Sequence, residues 1–228
     1  MNNISDAGVT TSHEPAALHK ISNGSKILAH TFSYVLHPIF IPLYVTFFLA
    51  YIHPSAFSGF SDGEKRQTLL IVSLNAVFFP LMSVLLLKAV GFIQSIHLRT
   101  QKDRIIPYMA CGIFFFWTYT VFKEQSHYPT MLTSFMLGIF LAASLALLAN
   151  IYFKISMHAI GMGGWIGFFL IIFKSNTMLM TWPLAIVLLL SGIICTARLL
   201  LSTHNAKDVY AGLFAGMLTQ FAAAAVLM

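Results

Sequence analysis

Seven stretches of the chain are each long and apolar enough to cross a bilayer, which takes about 20 largely apolar residues in helical form. They lie at roughly 31–53, 68–93, 106–122, 129–152, 156–173, 178–202 and 207–227. The mean hydropathy of +0.81 and the 58% hydrophobic residues exceed what one soluble core of 228 residues needs. The expected fold is all-α: a polytopic transmembrane helix bundle of about seven spans, or six if the fifth fails. That fifth stretch, "SMHAIGMGGWIGFFLIIF", is short, and its glycines lower helix propensity. Gly163 and Gly167 nevertheless have the small-xxx-small spacing that lets membrane helices approach closely, so the segment is expected inside the bundle.

The remaining sequence sets few other constraints. Residues 1–29 are polar, lack the apolar core of a signal peptide, and read as a disordered tail, leaving 30–228 as a single membrane domain. Prolines 38, 42, 80 and 183 fall inside apolar runs and predict kinks, not breaks. The loops near 54–67 and 94–105 have room for a short interfacial helix each. Cys111 and Cys195 sit in apolar runs, where a thiol behaves as a small hydrophobe, so neither a disulfide framework nor a metal site is expected. The formal charge of +6 is spread over short loops with no basic block, which argues for anionic lipid headgroups as partners and against nucleic acid.

Only 9% of the residues are charged, and an ionisable residue at membrane depth is costly. By the parity of seven spans, Arg99, Lys102, Asp103, Arg104, Lys154, His158, Arg198, His204, Lys207 and Asp208 all emerge on one face. Lysines and arginines alone would read as helix-end anchors with long stems. Two histidines and an aspartate do not reach far, and together with the cations they suit a phosphoryl group: cations for the oxygens, imidazoles for attack and proton transfer. His204 and Asp208, four apart, share a helix face, so the carboxylate can hold one ring nitrogen's proton and leave the other as a nucleophile. His37 begins on the same face, and there a packing role beside Pro38 is the simpler reading.

The segment "ARLLLSTHNAKD" resembles the third motif of the type 2 phosphatidic acid phosphatase superfamily, membrane lipid phosphatases related to haloperoxidases. That motif reads Ser-Arg, five residues, His, three residues, Asp. Arg198, His204 and Asp208 match, and Ala197 replaces the serine. Of the second motif, Pro-Ser-Gly-His, "ISMH" retains Ser156 and His158. Of the first, Lys, six residues, Arg-Pro, only Arg104 carries over, with His97 and Ile105 in the other places. The order of the motifs and the two spans between His158 and His204 agree with the family.

The resemblance implies a metal-independent hydrolase of a lipid phosphate or diphosphate, such as phosphatidic acid, phosphatidylglycerol phosphate or a polyprenyl diphosphate. In it His204 forms a phosphohistidine, Asp208 orients it and His158 protonates the leaving group. Arg198, Arg104, Lys154 and Ser156, with Arg99 and Lys102 as substitutes for the missing cation, would hold the phosphate. No cofactor and no metal is implied, the lipid tails would lie between helices, and the expected location is a bacterial inner (plasma) membrane. Two other readings stand beside it: a catalytically inactive member of the fold that binds or moves an anionic lipid, and a transporter using His158, His204 and Asp208 as a proton relay. Nine of the 13 Lys and Arg residues fall on the motif face, which the positive-inside rule places in the cytoplasm. Without the five proposed phosphate-binding cations the count is four against four, so orientation and oligomeric state stay open.

Overall fold

The computed structural model describes residues 22–93, 95, 100–175, 177–201 and 204–228. Among them the chain is all-α, with seven helices long and apolar enough to cross a membrane: α1 (Asn23–Ile52), α2 (Asp62–Ala89), α3 (Gln101–Lys123), α4 (Thr130–Tyr152), α5 (Met157–Lys174), α6 (Leu179–Leu200) and α7 (Ala206–Leu227). This is the expected architecture of an integral membrane protein. Several helices start earlier than hydropathy suggests, because a polar first turn belongs to the helix once it is capped. Ser22 caps α1 by accepting the Ser25 N–H at 3.2 Å, so helix begins inside the segment read as a tail. Ser61 and Glu64 cap α2 reciprocally, and Thr100 accepts the Asp103 N–H at the head of α3. Of the loops with room for separate interfacial helices, residues 54–61 form bends and turns, while 62–67 and 101–105 belong to the starts of α2 and α3.

α1 is interrupted where only a kink was expected. Helix runs Asn23–Val35, stops at Leu36 and His37, and resumes through a tight turn at Pro38–Phe40 into Ile41–Phe47. Proline supplies no N–H and pushes the residue before it out of helical conformation, and His37 is extended at φ −64°, ψ 136°. Its ring replaces the lost main-chain bonding by accepting the Ile39 N–H at 3.3 Å. Pro183, by contrast, sits within a continuous helix, and Pro80 follows a wide turn over Ser73–Phe78 that leaves α2 unbroken. Gly91, at φ 81°, closes α2 in the left-handed conformation suited to glycine.

The interior is organised around α5. Of its apolar window 61% is buried, against 17% for α2, which lies at the periphery. Leu49, Leu132, Phe135, Met136, Met162, Phe168, Ile172 and Ile194 form the core, each almost fully enclosed. In hydrocarbon, helices gain by close packing rather than by expelling water, so small residues mark the tightest contacts. The tightest here is between the parallel helices α5 and α7. A Cβ at Gly163 would collide with the Leu213 carbonyl, one at Gly167 would lie 2.9 Å from the Met217 Cα, and one at Gly212 would lie 2.8 Å from the Ser156 carbonyl oxygen. At Gly216 it would collide with the Ile160 carbonyl. The expectation that the fifth stretch is packed inside holds for this reason.

Backbone cannot yield as a flexible side chain can, so Gly216→Ala and Gly163→Ala are each expected to destabilise the bundle by about 3 kcal/mol. Gly192→Ala, whose added Cβ meets nothing within 4 Å, should be neutral. Unfolding of the three variants in detergent, followed by helical circular dichroism, checks this.

Candidate functional site

Parallel packing of α5 and α7 brings their N-terminal ends together on one face. The loop before α5 is laced to the start of α7 and the residues just before it by two bonds: the Ser156 N–H donates to the Asp208 carbonyl at 3.4 Å, and His204 Nδ1 lies 3.1 Å from the Lys154 carbonyl. A carbonyl only accepts, so this second bond places the imidazole proton on Nδ1 and leaves the Nε2 lone pair uncommitted to it. The Asp208 carboxylate, 3.9 Å from Nδ1, supports the same orientation from a distance, while its Oδ2 accepts the Asn205 N–H at 3.1 Å and caps α7. The aspartate therefore serves the helix end as well as the histidine.

Burial, followed by the charges of Arg104 and Lys154, lowers the His204 pKa from 6.5 to about 4, with Asp208 and the Lys154 carbonyl opposing the shift. The ring is thus neutral at physiological pH. Burial, with Arg104 second, also lowers the Lys154 ammonium below the usual lysine range.

Arg104 is buried in the first turn of α3 and donates from Nη1 to the Ile155 carbonyl at 3.0 Å. The start of α3 is fixed to the end of α4 by a reciprocal pair, Gln101 Nε2 to the Asn150 carbonyl and Asn150 Nδ2 to the Gln101 carbonyl. Arg198, buried in the last turn of α6, donates from Nη2 to the Ser33 hydroxyl. His158, one residue into α5, meets the Ser33 carbonyl through Nε2 at 3.1 Å, which places its proton there. The His37 and His158 rings pack edge to face with centroids 5.1 Å apart.

The structure therefore gathers His204, Asp208, Lys154, Arg104, Arg198 and His158 at one end of the bundle. Ser156 is fully buried, and its hydroxyl accepts the Ala159 N–H at 3.4 Å; it caps α5 and faces no open space. Lys102 is exposed and stands outside the cluster, whereas Arg99 lies outside the described residues. Two contributors were missed in the sequence, Ser33 and the main-chain carbonyl of Lys154, while His37 was placed on this face and read as packing beside Pro38. His37 had a signal in "LHPIFIP", where a histidine beside a helix-breaking proline marks an interruption at membrane depth. Ser33 had none, because an isolated serine on an apolar helix is ordinary. Beside the cluster, a gap of about 60 Å³ lined by Pro38, Ile41, Met157, Ile160, Phe135 and Gln220 opens between α1, α4, α5 and α7. Among the described residues no group of three or more His, Cys, Asp or Glu side chains is placed to hold a metal ion.

Fold and cluster together define a seven-span, all-α integral membrane protein with a cationic, histidine-bearing site at one end of its bundle. Compared with protein-family models, curated proteins and solved structures, the chain matches none, so the resemblance to lipid phosphatases rests on the residues alone.

Proton linkage at His204 has a definite sign. A histidine whose pKa falls on folding binds its proton more tightly when unfolded, so its share of stability is full above pH 6.5 and is lost as pH falls toward 4. The ring of His204 is expected to stay neutral at pH 5.5, where an unperturbed histidine is mostly charged. An imidazole ¹⁵N titration with His204→Asn as the assignment control checks this.

Proposed function

We propose that the protein is a membrane-embedded, metal-independent phosphatase acting on a lipid phosphate or diphosphate in a bacterial plasma membrane. The observation that carries this reading is the state of His204: neutral, with Nδ1 protonated toward the Lys154 carbonyl and Asp208, and Nε2 left with its lone pair. A nucleophilic histidine needs this tautomer. In the proposed reaction the phosphate monoanion hands its proton to His158 on binding, Nε2 of His204 bonds to phosphorus as the ester or anhydride P–O bond breaks, and the leaving oxygen takes a proton from the His158 imidazolium. Water then attacks the phosphohistidine, gives a proton back to His158, and releases inorganic phosphate and the free imidazole. Arg104, Arg198 and Lys154 are the cations available for the phosphate oxygens. The seven membrane-crossing helices keep the cluster within reach of lipid headgroups, which favours a lipid over a soluble phosphate ester.

Phosphate release by purified protein in detergent with EDTA, across a panel of lipid phosphates and diphosphates, tests the reading. His204→Ala is expected to lower turnover by about a thousandfold or more, the scale set by removing a catalytic nucleophile, while leaving the bundle folded. Full turnover in that variant would end the mechanism.

A second reading, a non-catalytic protein that holds an anionic lipid, is favoured by one observation: Arg104 and His158 are bonded to main-chain carbonyls and Arg198 to a serine hydroxyl. It expects lipid binding that survives His204→Ala and weakens about tenfold or more in Arg104→Gln with Arg198→Gln, the scale of lost charge-assisted hydrogen bonds. Ready hydrolysis of the bound lipid would remove it.

A further inference from the structure

Ser33 meets the cluster twice. Its hydroxyl accepts from Arg198 Nη2 and its carbonyl accepts from His158, so one residue of α1 takes one guanidinium nitrogen and the imidazole N–H that an oxyanion would engage. The segment carrying Ser33 is lightly held. Across Asn23–Val35 only Ala29 and Ser33 are buried, four residues apart on one face, whereas Ile41, Pro42, Val45, Thr46, Phe48 and Leu49 of the continuing span are buried. The two halves of α1 are divided by the break at Leu36–His37, which is bridged by Tyr44 Oη donating to the Val35 carbonyl at 2.7 Å. Segments with few buried contacts open at low cost, and non-helical residues at the end of an element absorb the change in backbone angles.

We propose that Asn23–Val35 is a displaceable stopper on the site, and that a phosphate group enters by taking the places of the Ser33 hydroxyl on Arg198 and the Ser33 carbonyl on His158. The exchange is chemically directed. Both Ser33 acceptors are neutral, whereas phosphate oxygens are charged, and hydrogen bonds to a charged acceptor are roughly twice as strong. The half-helix then pivots at Leu36–Pro38 while the rest of α1 stays in the core. Release of the His158 N–H from Ser33 also frees it to face a leaving group. The inference rests on the oxyanion site of the proposed function and does not require turnover.

The test uses the full chain in detergent with Cys111→Ala and Cys195→Ala, and His204→Ala to prevent hydrolysis. Ala29→Cys supplies a reporter on the face shared with Ser33, where the native side chain is 6% exposed. Two probes are added separately: inorganic phosphate, and phosphatidic acid in mixed micelles. Maleimide labelling of the Ala29→Cys thiol is expected to accelerate about fivefold or more on saturation with a probe. A response to both means that the headgroup is sufficient, and a response to the lipid alone means that the chain is needed as well; each supports the proposal. Without the reporter, Ser33→Ala is expected to bind the same probe about tenfold more tightly, the scale of one hydrogen bond to a charged group, and Ser33→Thr to keep the original affinity. Binding with no change in labelling, binding weakened by Ser33→Ala, or no binding of either probe would each overturn the proposal. Hydrolysis by the native protein with unresponsive labelling would sink the stopper and leave the phosphatase reading intact. Responsive labelling in a protein that hydrolyses nothing would do the reverse.

Discussion

The close approach of α5 and α7 is the constraint on which the rest of the structure depends. Four glycines let two backbones meet where any side chain would intrude on main-chain atoms. In a bilayer this contact has no hydrophobic driving force behind it, so its strength comes from the fit itself. Because α6 runs back between them, the two helices are parallel, and one contact sets the depth and spacing of both N-termini. His158, His204 and Asp208 all belong to those ends. Placing three polar groups beside one another therefore requires no side chain to reach far, only that two helices begin at the same level.

The polar groups assembled there meet the cost of leaving water by pairing inward. Arg104 bonds to a carbonyl of the loop before α5, Arg198 to the Ser33 hydroxyl, His158 to the Ser33 carbonyl and His204 to the Lys154 carbonyl. An uncompensated cation at this depth would be expensive, and neutral acceptors lower the expense without neutralising the charge. The arrangement keeps the electrostatic field of the cations available to an anion, while the lowered pKa values of His204 and Lys154 reflect burial first and that field second. The broken first span supplies two of the four acceptors, which ties an apparently peripheral half-helix to the chemistry of the site.

Spans were legible because hydropathy over about 20 residues is an additive, local property. Their starts were less so. Asp62–Glu64 and Gln101–Asp103 are too polar to score as membrane helix, yet caps at Ser61 and Thr100 make them helical. The break at Pro38 was misread as a kink because the sequence does not say whether neighbouring groups will restore the missing bonds; here the His37 ring does so and the helix stops. Of the candidate residues, His204, Asp208, His158, Arg198, Arg104 and Lys154 were singled out by type, spacing and face, and the fold brings them together. Ser156 shared their spacing, but its hydroxyl is turned to the head of its own helix, and no spacing rule distinguishes a capping serine from a ligand.

The sequence by itself determined the solvent the protein folds in, the number of its crossings and, through parity, the end at which its ionisable residues collect. Those properties follow from residue type summed along short windows, and they hold whatever packs against what. Tertiary structure alone decided which acceptor each cation and imidazole meets, that His204 is oriented chiefly by a main-chain carbonyl 50 residues away, and that Ser33, 165 residues from Arg198, is one of its partners. Such contacts depend on distances between helices of a few ångströms, fixed by which faces interlock, and the order of residues along a chain carries no direct record of them.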